Sequence, residues 1–140
     1  MLAFAAGLGG AVQIAVQGRL GERVGSLEAL TTAAVIGGVI ALTALLVARR
    51  SLAGVGDALT GPKWLLLGGA MGAFIVFAIT LAGPRIGVVA TTAFLIAAQL
   101  GLAALIDRYG WLGVERVPVS WTRGVGIGLL LAGAMLTLRR

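Results

Sequence analysis

The stretch "TTAFLIAAQLGLAALIDRYG", residues 91–110, carries most of an uncharged run from Ile86 to Ile106 that is interrupted near its middle by one primary amide, Gln99. Such a run matches the ~20 residues that cross a ~30 Å hydrocarbon core at ~1.5 Å per residue. Inside a bilayer an unpaired amide is costly, because hydrocarbon offers it no hydrogen bond. The placement of Gln99 therefore predicts a partner at membrane depth.

Working outward, the charged residues cut the chain into five apolar segments, at 1–18, 29–48, 64–83, 86–106 and 121–138. Composition agrees: of 140 residues, 59% are hydrophobic and 11% charged, with a mean hydropathy of +1.06, against roughly 25% charged residues in a soluble domain. The fold class read from this is an all-α integral membrane protein with five transmembrane helices in a single domain, residues 1–140. The first segment reads as a true span and not a signal peptide. It has no basic leader, and "GGAVQIAVQGRLG" puts glutamines where a cleavage site needs small neutral residues. Arg123 lies in the first turn of the fifth segment and is expected to snorkel. Trp64, Tyr109, Trp111 and Trp121 stand at segment ends, as an aromatic belt requires.

The connections are short. "ARRSLAGVGDALTGPK" and "RYGWLGVERVPVSW" are the extended ones, and "GPR" leaves almost no loop between the third and fourth segments, which predicts a tight antiparallel hairpin there. Net charge is +6, but the basic residues are scattered between apolar runs and form no stripe, so nucleic acid is not expected as a partner. The chain has no Cys and no His, which removes thiolate and imidazole chemistry and the usual metal sites. No cofactor and no metal are expected.

The distribution of charge bears on orientation. Five spans put Arg49, Arg50, Lys63, Arg108, Arg116 and Arg123 on the N-terminal side, and Arg19, Arg23, Arg85, Arg139 and Arg140 on the other. A chain of fixed orientation carries a clear basic excess on its cytoplasmic side, and this one does not. Insertion in both orientations follows, and two inverted copies then make a ten-helix antiparallel homodimer, the arrangement that many transporters achieve with inverted repeats. The alternative is one fixed orientation with a separate partner supplying the opposite half.

Several polar and small residues are candidates for a site. Gln99 has Thr92 on nearly the same helical face, and Gln13 and Gln17 are spaced i, i+4 in the first segment. Either these groups bond helix to helix or they line a cavity and touch a solute. Gln13 and Gln99 each lie a few residues past the centre of their segments, on helices of opposite direction, so inverting a second copy brings Gln13 of one chain level with Gln99 of the other. Phe74 and Phe77 share a face of the third segment and are candidate pocket aromatics, with ordinary packing as the alternative. Gly124-x3-Gly128 allows close backbone approach and is the candidate dimer seam, with general close packing as the alternative. The five acids, Glu22, Glu28, Asp57, Asp107 and Glu115, all lie in connections or at segment ends. A midplane site built from amides suits a neutral or weakly polar solute better than an obligatory cation.

The runs "QIAVQGRLG" and "GPRIG", the Ala98-Gln99 pair followed by "DRYG", and the spaced Pro118, Arg123 and Gly133 together resemble the YdcZ-like family, the short single-domain branch of the drug/metabolite transporter superfamily. The resemblance covers essentially the whole chain. It implies a five-helix bacterial inner-membrane protein, an antiparallel dimer and transport of a small organic solute. It also places the family's glutamine and following asparagine at Gln13 and Gln17, and its Gly-Gln pair at Ala98 and Gln99. Gln17 and Ala98 depart from the family pattern. The expectation is an alternating-access transporter within the lipid bilayer; a non-transporting assembly or regulatory subunit is the alternative, and no enzyme is expected.

Overall fold

The computed structural model describes all residues except 118–119 and 138–140, together with the side chain of Arg123. Pro118, the end of the fifth segment at Leu138, and Arg139 and Arg140 thus lie outside the described residues, as does the side chain of Arg123. Every regular element among the described residues is helical. In chain order these are α1 (Leu2–Val24), α2 (Ser26–Arg49), α3 (Ala53–Thr60), a 3-10 turn (Lys63–Leu66), α4 (Leu67–Ile86), α5 (Val88–Tyr109), a second 3-10 turn (Trp111–Gly113) and α6 (Trp121–Leu136).

Three stretches are long and apolar enough to cross a membrane: Ser26–Arg49, Lys63–Ile86 and Val88–Tyr109. The apolar part of α6, Gly124–Leu136, is shorter. α1 has the length, at 23 residues, but Gln13, Gln17 and Arg19 dilute its hydropathy. Five spans thus remain a reading of the sequence for α1 and α6.

The helices differ from the apolar segments in three places, each for a physical reason. α1 runs on through Arg19 and Arg23 to Val24, and α5 through Asp107 and Arg108 to Tyr109, because a charge marks where a helix leaves hydrocarbon and not where it ends. The link after α2 holds α3; Gly54 and Gly56 are tolerated there, and Gly61 and Pro62 stop the helix. The break between the third and fourth segments falls at Gly87, not at "GPR": Pro84 is inside the last turns of α4, and Gly87, at φ 85°, separates α4 from α5. That φ lies in the region open to glycine at little cost.

Residues 15–84 form one compact unit. Here the last part of α1 lies against the last part of α4. A Cβ on Gly18 would stand 3.0 Å from Pro84 Cδ, and one on Gly21 would collide with Thr80 Cγ2. Between α1 and α2 a single residue, Gly25, turns the chain at φ 103°, its N–H donating to the Gly21 carbonyl at 3.0 Å. Glu28 in the first turn of α2 and Arg49 in its last complement the helix dipole. Val35, Ile36, Val39 and Ile40 of α2 face outward, whereas Ala29, Ile79 and Gly83 are enclosed. This distribution suits lipid as the surrounding solvent, with small residues where backbones approach.

Residues 1–14 and 85–140 form the other unit, in which α5 packs on α6. Ala90, Ala97 and Ala134 are enclosed. Gly110, at φ 65°, closes α5 through a 2.8 Å bond from its N–H to the Ile106 carbonyl, and Val117 N–H returns to the Asp107 carbonyl at 2.9 Å. Tyr109 and Trp111 stack with ring centroids 5.3 Å apart, and the Arg108 guanidinium lies 6.0 Å from the Tyr109 ring. The aromatic and basic residues at this end of α5 form the cluster expected at a membrane interface.

Candidate functional site

The candidate residues fall in both units. Gln17 is in the unit of residues 15–84, on the part of α1 that meets α4. It is only 6% exposed, and its Nε2 has no hydrogen-bond partner. A buried donor left in this state costs on the order of 1–3 kcal/mol, so an unpaired Gln17 amide either serves a ligand or represents a standing loss of stability.

The helix that Gly18 and Gly21 meet here is α4. Thr80 is 2% exposed, and its hydroxyl donates to the Val76 carbonyl at 2.7 Å. Pro84 has no N–H, so the Thr80 carbonyl four residues earlier loses the donor that helix geometry would have supplied. Sequence reasoning passed over Thr80, Gly18, Gly21 and the helical role of Pro84. The available signal was the pairing of Gly18 and Gly21 on α1 with a proline in an apolar run, but "GPR" read more simply as a turn. Of the two candidate aromatics in this unit, Phe74 is exposed and Phe77 half-buried.

The other unit holds Gln13, Thr92, Gln99, Gly124 and Gly128. Gln13 and Gln99 are both exposed, and among the described residues neither side chain hydrogen-bonds within the chain. Thr92 is half-buried and donates to the Val88 carbonyl at 2.8 Å. Its neighbour Thr91, which sequence reasoning did not single out, is 5% exposed and donates to the Gly87 carbonyl at 2.8 Å in the first turn of α5.

Gly124 and Gly128 of α6 are exposed, with nothing within 4 Å of a Cβ built on either. Between α5 and α6 runs a groove of about 300 Å³, lined by Leu100, Ala104 and Asp107 on one side and Gly126, Ile127 and Leu130 on the other. At ~100° per residue, Gly124 and Gly128 lie on the face of α6 opposite Gly126 and Leu130. The face turned toward α5 and the Gly124-x3-Gly128 face are therefore different surfaces.

Chemically, the arrangement offers amides, hydroxyls and carbonyls, and no carboxylate lies near the midplane of α2, α4 or α5. Residues 1–136 match the family described as "Putative inner membrane exporter, YdcZ". The chain is also similar to the "Inner membrane protein YdcZ" of Escherichia coli (strain K12), 30% identical over 139 residues, which cover 97% of this chain and 91% of the relative. No solved structure matches the chain.

Proposed function

We propose that this chain, which belongs to the YdcZ family of inner-membrane proteins, moves a small organic solute across the membrane by alternating access, as an antiparallel homodimer of inverted copies. The observation that carries the reading is the condition of Gln13 and Gln99. Both amides are exposed and unpartnered within the chain, although Gln99 sits in the middle of α5, a helix of membrane length. Lipid cannot satisfy them. An inverted second copy, or a water-filled cavity beside it, can.

The near-even split of basic residues favours both orientations in one membrane. The helices bearing Gln13 and Gln99 would then rock around a midplane site, with Gln17 and Thr92 as further solute contacts, Phe74 and Phe77 as candidate wall residues, and the Gly124-x3-Gly128 face as the dimer seam. The family description, "Putative inner membrane exporter, YdcZ", supports transport over an enzymatic role.

The test is solute movement. Purified protein screened by ligand-induced thermal shift identifies solutes that bind the native state, and each is then followed across proteoliposome membranes. Saturable flux of a stabilising solute supports the proposal. A folded dimer that moves none of its ligands refutes transport and favours a non-transporting assembly.

A further inference from the structure

We infer that the contact between α1 and α4 holds a neutral oxygen, from water or from a hydroxyl of the solute, that accepts a hydrogen bond from Gln17 Nε2 and donates one to the Thr80 carbonyl. The solute half of this inference rests on the proposed transport function; the water half does not. One group has no partner and the other lacks its regular helical donor, for independent reasons. Gln17 is 6% exposed with its Nε2 unpaired, and the Thr80 carbonyl is deprived of its helical donor by Pro84.

Both belong to one contact. Gly18, the residue after Gln17, rests on the Pro84 ring, and Gly21, one turn further along α1, faces Thr80, where a Cβ would lie 3.7 Å from the Thr80 carbonyl oxygen. As α1 advances from Gly18 to Gly21, α4 retreats from Pro84 to Thr80, so the helices run antiparallel here. Carbonyls point toward a helix's C-terminus, which aims the Thr80 oxygen along α4 toward the level of Gly18 and Gln17. The amide does not bond that oxygen directly, and a bridging atom between them satisfies both.

The surroundings select its charge. An anion would accept from Gln17 but would meet the carbonyl oxygen and the negative end of the α4 dipole. A cation would suit the carbonyl but could not accept from an N–H. The Thr80 hydroxyl is already committed to Val76. An uncharged oxygen that both accepts and donates fits both groups, and water and alcohols share that chemistry.

Because the chain has three glutamines, Gln13, Gln17 and Gln99, and no asparagine, its side-chain amides are separable by proton-detected solid-state NMR of the whole protein in lipid bilayers. The Gln17 signal is assigned by its loss in Gln17→Leu, or in Gln17→Met if that variant does not fold. Without solute, Gln17 should show direct magnetisation transfer from water. Addition of 1,4-butanediol, succinate or putrescine then separates the sources. A diol-induced shift with loss of the water contact identifies a solute hydroxyl, and a water contact that persists under all three identifies a structural water.

No water contact and no response to the diol, or a response to succinate or putrescine as large as to the diol, overturns the inference. Pro84→Ala gives a second test, since it restores an N–H to the Thr80 carbonyl and should weaken the water or diol contact at Gln17 by about fivefold, the equivalent of one hydrogen bond. An unchanged contact in that variant also overturns it. Flux measured on the same samples is a separate readout: an occupied Gln17 site in a protein that moves no solute refutes transport alone.

Discussion

Replacing Gly21 by Ala places a methyl group where Thr80 Cγ2 already is. Thr80 has little freedom to give way. It is 2% exposed, and its hydroxyl is tied to the Val76 carbonyl at 2.7 Å, so rotating the side chain would sacrifice that bond. Overpacking of this kind costs about 1–3 kcal/mol. The substitution also removes a helix-interior glycine, which returns roughly 0.8–1 kcal/mol of propensity. Gly37→Ala in α2, where nothing lies within 4 Å of the new atom, isolates that second contribution. Gly21→Ala is therefore expected to be less stable than Gly37→Ala by about 1–3 kcal/mol.

The assay is reversible denaturation in mixed micelles, followed by tryptophan emission. Thr80→Ser supplies the cycle, because it keeps the hydroxyl and removes the colliding methyl. In that background the cost of Gly21→Ala should fall by at least about 0.5 kcal/mol, the lower end of couplings between touching residues. If Gly21→Ala matches Gly37→Ala, or if its cost is the same with Ser at position 80, the α1–α4 contact is not as described and the reasoning fails.

Gln99→Leu should reduce flux at least tenfold while the melting temperature in lipid changes little; normal flux with an earlier melt would make the amide a packing element worth about 1 kcal/mol. Gly128→Leu, on the face of α6 turned away from α5, should weaken dimerisation measured by energy transfer in bilayers by about tenfold or more, as close backbone approach is lost; an unaltered dimer affinity moves the seam elsewhere. Gly87→Ala has free space but must hold φ 85°, so it should cost about 1–2 kcal/mol from backbone conformation alone, read by the same denaturation; no loss would mean that the α4–α5 break is not at Gly87.

Apolar length read directly from the sequence identified the cores of α2, α4 and α5, because crossing hydrocarbon leaves no alternative to a helix. It did not locate their ends, since Arg19 in α1 and Asp107 in α5 can sit in the headgroup layer while the helix continues past them. α3 escaped notice because an eight-residue helix with two glycines carries little periodic signal. Among the site residues, Gln13, Gln17 and Gln99 were visible as amides in apolar runs. Their difference in environment was not: Gln17 lies beside Gly18, which meets a proline 66 positions later, and no local pattern encodes that contact. Pro84 misled for the converse reason: a proline after an apolar run reads as a helix stop, yet α4 continues to Ile86 and the break falls at Gly87.

The central claim is that identical chains lie in the membrane in both orientations and pair as inverted copies. A single cysteine at Ser51, an exposed position between α2 and α3, tests it most directly in a chain that has no cysteine of its own. Labelled in intact cells with a membrane-impermeant maleimide, and then after permeabilisation, Ser51→Cys should react from both sides in comparable amounts. Labelling from one side only would contradict the account.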